Sequence, residues 1–101
     1  AGVMTRDDVL QTLRAHQGDL EARKITSLAL FGSFARGDAT AESDVDLLYG
    51  YDTARVPGLF ELMEAREYLE TLLHRGVDLV PRHRVKPLLR PQVEREALPV
   101  F

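Results

Sequence analysis

The chain of 101 residues contains no cysteine. That excludes disulfide staples, zinc–thiolate clusters and thiol nucleophiles, and it is compatible with a reducing compartment. No apolar run approaches the roughly 20 residues of a helical membrane span, and no secretory signal is present. The expectation is therefore a cytoplasmic protein without membrane attachment. Lysine is scarce, at Lys24 and Lys86 only, and acidic residues outnumber basic ones by 16 to 13. A net charge of −3 argues against extensive nucleic-acid binding, which rests on neutralising phosphates. Repeats, low-complexity tracts and linkers are missing too. What is left is one small domain, with the 45% hydrophobic and 29% charged residues of a globular chain. Met4 reads as the native start and Ala1, Gly2 and Val3 as an expression remnant, so the domain is expected over residues 4–101.

Periodicity divides those residues. Thr5 and Asp8 have the spacing of a capping box, and Val9, Leu10 and Leu13 form the stripe of a leading helix, which Leu20 extends. Ser27 to Phe31 reads as a buried strand and residues 35–43 as a polar loop. Val45 to Tyr49 is a second strand, with Asp44 at its mouth. Pro57 suits a helix start, the apolar spacing from Leu59 to Leu73 predicts a long helix, and Gly76 suits its C-cap. Val77 to Val80 is a third strand, stopped by Pro81. Short helices are expected near 85–89 and 91–97. The order predicts an α/β (α+β) fold with one mixed sheet of about three strands flanked by helices. The apolar tail from Leu98 to Phe101 either completes the core or, with exposed parts of the long helix, forms a partner surface.

The chemistry concentrates between Leu30 and Leu48. Asp44 and Asp46 are two residues apart in a strand, so both carboxylates leave the same face. Like charges this close raise each other's pKa unless a cation separates them. Mg²⁺ takes oxygen ligands and is commonly held by one or two carboxylates plus substrate phosphates. Asp78, alone, could be an edge-strand charge. Beside the pair it is a candidate third metal ligand, and the base for an attacking hydroxyl. Gly32-Ser33 follows a strand and precedes a short helix, a place where backbone can approach phosphate closely, although Gly-Ser turns are common and the Walker pattern is missing. Arg36 is either a phosphate contact or a solvated side chain. Ser43 is read as a loop cap, and Asp38 as a turn residue. His16, His74 and His83 lack metal-site spacing. Tyr49, Tyr51 and Tyr68 are read as half-buried packing residues.

The run Gly32-Ser33-Phe34-Ala35-Arg36-Gly37, followed by Ser43-Asp44-Val45-Asp46-Leu47 and later by Val77-Asp78-Leu79-Val80, resembles the signature of the DNA polymerase beta-like nucleotidyltransferases. The nearest group is the minimal nucleotidyltransferases, MntA-type antitoxins paired with HEPN toxins. The resemblance spans nearly the whole chain. It implies a nucleotidyltransferase domain in which Gly32 and Ser33 hold a triphosphate, with Arg36 a further contact. Asp44 and Asp46 would ligate two Mg²⁺ ions and Asp78 one of them. ATP would be the substrate and a tyrosine of a HEPN-family toxin the acceptor of AMP. Homo-oligomerisation is left open. Two alternatives stand beside this reading: a non-catalytic antitoxin that neutralises by contact, and a stand-alone transferase for a small molecule. The triad counts against the first, and the lack of an acceptor domain against the second. A HEPN toxin itself is excluded, because neither Arg66 to His74 nor Arg75 to His83 fits R-x(4–6)-H.

Overall fold

A computed structural model describes residues 4–101; the reading of Ala1 to Val3 as a remnant lies outside them. The leading helix, α1 (Arg6–Ala15), opens on the expected capping box. The Thr5 hydroxyl accepts from the Asp8 amide at 3.2 Å, and the Thr5 amide donates to the Asp8 carboxylate at 2.9 Å. Donation from the Thr5 amide, and secondarily the nearby Thr5 hydroxyl, holds the Asp8 carboxyl below the ordinary aspartate range. A short α2 (Gln17–Glu21) buries Leu20, and in the turn that follows Lys24 adopts a left-handed φ of 70°.

The remaining elements run β1 (Ser27–Phe31), α3 (Gly32–Arg36), β2 (Val45–Gly50), α4 (Leu59–Leu73), β3 (Val77–Pro81), a 3₁₀ turn (Arg82–Arg84), α5 (Arg90–Glu96) and β4 (Leu98–Pro99). The three expected strands are present. A fourth, two residues long, joins the sheet in the order β3-β2-β1-β4. Among the described residues, only β2 and β3 pair in parallel, as befits strands joined by a helix.

Two expectations change in detail, and a third, left open between two outcomes, is decided. Pro57 lies before the first turn of α4 instead of inside it. Gly58 is the N-cap, and its amide donates to the Glu61 carboxylate at 2.9 Å. The two short helices after β3 form at Arg82–Arg84 and Arg90–Glu96. The tail belongs to the core: Val100 is buried, and its amide donates to the Leu28 carbonyl at 2.8 Å. By contrast, Leu59 and Phe60 at the start of α4 are 71% and 78% exposed.

The alternation of side chains gives the sheet two unlike faces. Leu28 and Leu30 on β1, Val45, Leu47 and Tyr49 on β2, and Val77 on β3 are buried in one cluster with Val9 and Leu13 of α1 and Ala65, Leu69 and Leu73 of α4. The register puts Phe31, Asp46 and Asp78 side by side on the other face.

Candidate active site

β2 begins at Val45, so Asp44 sits at its threshold and shares a face with Asp46. Asp46 is opposite Asp78 on parallel β3 and opposite Phe31 on antiparallel β1. Neighbouring strands lie about 4.8 Å apart. The three carboxylates therefore arise from adjacent positions at one end of the sheet. Directly after Phe31 the chain turns through Gly32 into α3. Asp46 is half-buried, whereas Asp44 and Asp78 are exposed.

Two glycines make room for this arrangement. Gly32 has a left-handed φ of 73°, which costs glycine nothing, and a Cβ there would collide with the Asp46 carboxylate. A Cβ on Gly76 would lie 2.5 Å from Asp44 Oδ1. Because Val45 pairs with Val77 and the Val45 amide donates to the Gly76 carbonyl at 2.9 Å, Gly76 flanks Asp44 as Asp78 flanks Asp46. This corrects the reading of Gly76 as a helix cap. His74, at φ 54°, ends α4 instead, and Gly76 leaves space for a carboxylate.

The loop between α3 and β2 folds on itself. The Ser43 hydroxyl accepts from the Thr40 amide at 2.8 Å, the capping role expected of it. Arg36 is exposed and engaged, 3.3 Å from Asp38 and 3.8 Å from Glu96. Tyr51 lies beyond the far end of β2, against Tyr49 and His83, so it does not adjoin the aspartates.

The nucleotidyltransferase domain model matches residues 13–100. The chain belongs to the nucleotidyltransferase domain family. It is 35% identical to the protein adenylyltransferase MntA of Thermococcus cleftensis, over 95% of this chain and 96% of that one. It is similar in structure to a candidate minimal nucleotidyltransferase, with 39% identity, a TM-score of 0.68 and coverage of 89% and 94% of the two chains. A complex of a tri-AMPylated Shewanella oneidensis HEPN toxin with an MNT antitoxin shares the fold. There the identity is 20%, the TM-score 0.66, and the coverage 96% of this chain and 72% of that one.

Charge in this nucleotidyltransferase is arranged at a cost to the unliganded protein. Burial, then the nearby Asp78 and Asp44 carboxylates, push the Asp46 carboxyl above its ordinary value of 3.8, and Arg36 opposes them. Among the described residues, no three Asp, Glu, His or Cys side chains gather into a ready-made metal cage. The donors are hard carboxylate oxygens on one face, a set that suits a divalent ion whose remaining ligands come from phosphates.

Proposed function

We propose that the chain is a Mg²⁺-dependent protein adenylyltransferase that transfers AMP from ATP to a tyrosine of a HEPN toxin, and thereby acts as its antitoxin. The observation that carries this reading is the placement of Asp44, Asp46 and Asp78 at neighbouring register positions beside the Gly32 turn, with glycines where a side chain would run into Asp46 and Asp44. Its family and its likeness to MntA support the same chemistry, and the AMPylated toxin complex sets a precedent for it on this fold.

In this reading Gly32 and Ser33 present backbone amides and a hydroxyl to the triphosphate; the first amides of a helix have no partner within it. Arg36 reaches the phosphates by exchanging Asp38 and Glu96 for them. Asp44 and Asp46 would hold two Mg²⁺ ions and Asp78 one of them. Such ions, when bound, stabilise the attacking and leaving oxygens of an in-line displacement. The tyrosine oxygen bonds to the α-phosphorus, the bond to pyrophosphate breaks, and Asp78 accepts the hydroxyl proton. The half-buried Asp46 supplies its charge where little water screens it.

Intact-mass spectrometry tests the proposal. Incubated with its HEPN partner, ATP and Mg²⁺, the wild-type protein should add AMP to a partner tyrosine, and the Asp44→Asn/Asp46→Asn double variant should not. Association without any adduct would leave neutralisation by contact. An adduct that survives the double variant would place the chemistry elsewhere.

A further inference from the structure

Arg75 makes a set of contacts that the site as described does not use. Its guanidinium donates to the carbonyls of Thr40 at 3.0 Å, Ala41 at 3.1 Å and Ser43 at 3.0 Å, and it packs over the Phe34 ring of α3 at 5.0 Å. These partners lie 32 to 35 residues away for the carbonyls, so the contacts tie the start of β3 to the loop between α3 and β2. The next residue is Gly76, which faces the Asp44 carboxylate and accepts from the Val45 amide. The dipeptide Arg75-Gly76 thus grips the chain just before Asp44, beside it and just after it. Arg75 forms no ion pair with a carboxylate among the described residues. Its charge is spent on three carbonyl dipoles, and among the described residues no cationic side chain pairs with Asp44.

We infer that Arg75 is a positioning residue that fixes Asp44 for ligand binding by fastening the Thr40–Ser43 loop to β3. The inference rests on the proposed role of Asp44. The three carbonyls meet a single guanidinium nitrogen, Nη1, whose two hydrogens they share, while the plane of the same group lies over the Phe34 ring; a lysine ammonium could donate to the carbonyls but offers no plane to stack. Residues that orient a metal ligand, when lost, commonly reduce metal affinity by about 10- to 100-fold.

The test compares wild type with Arg75→Met, Arg75→Lys and Asp44→Asn. It reads Mn²⁺ affinity by electron paramagnetic resonance with a non-hydrolysable ATP analogue present, and amide exchange over residues 40–45 without metal. Arg75→Met should bind Mn²⁺ about tenfold more weakly and exchange the Ser43 and Val45 amides faster, with Arg75→Lys intermediate. If Arg75→Met does not fold, Arg75→Lys is read by the same criteria. A folded Arg75 variant with wild-type Mn²⁺ affinity and exchange, alongside an Asp44→Asn that has lost Mn²⁺, overturns the inference and spares the site. Wild-type Mn²⁺ affinity in Asp44→Asn overturns the site itself.

Discussion

The two faces of one sheet are built on opposite terms. Along β2, Val45 and Leu47 point to one side and are fully buried, while Asp46, between them, points to the other beside Asp78. The first face satisfies the hydrophobic effect and carries stability. The second buries Ala29 and Leu48 farther along, but at one end it collects like charges, raises the Asp46 carboxyl, and gives up two side chains at Gly32 and Gly76. A strand of period two can serve both ends at once because neighbouring residues never share a face. Stability and chemistry are thereby separable by single substitutions, which is what the following experiments address.

The largest effect belongs to the buried face. Leu47→Ala should cost about 2–5 kcal/mol, a large part of the stability of a small domain, and urea titration should show an early or lost transition. Next comes the boundary between the faces. Gly32→Val puts a branched side chain at a left-handed φ and into the Asp46 carboxylate. Calorimetry should find ATP affinity lower by at least tenfold, equivalent to about 1.4 kcal/mol, and an unchanged affinity would remove the turn from the site. Smaller again is Thr5→Ala, which breaks the α1 cap at about 1 kcal/mol. It should lower the midpoint of thermal unfolding without altering ATP affinity.

Much of this division is written locally. The two-residue spacing of Asp44 and Asp46 within an apolar run announces both faces, and Gly32-Ser33 after a strand marks the turn. The capping box at Thr5 and Asp8 is likewise read from four consecutive residues. What stayed hidden depends on pairing between distant segments. Gly76 has the look of a helix cap until Asp44-Val45-Asp46 is laid in parallel beside Gly76-Val77-Asp78. Matching those two similar triplets is the signal that would have found it. Arg75 carries no local mark, since its partners are backbone carbonyls more than thirty residues away. β4 carries no mark in the sequence, because two residues ending in Pro99 leave no periodicity to detect.

The pH dependence follows from the same contrast. With its folded pKa raised, Asp46 binds a proton more readily in the native state. Its contribution favours folding below the ordinary value near 3.8 and is lost as pH rises through the raised folded value. In metal-free protein at pH 7, Asp46 is therefore a burden, which Asp46→Asn relieves and which disappears in acid.

Thermal melts of wild type and Asp46→Asn at pH 7, with and without Mg²⁺ and ATP, test the separation of the faces most directly. Ligand that binds only the native state raises its midpoint. The account predicts a higher midpoint for ligand-free Asp46→Asn than for ligand-free wild type, and a ligand-induced rise in wild type alone. A lower midpoint in the ligand-free variant, or an equal rise in both proteins, would contradict it.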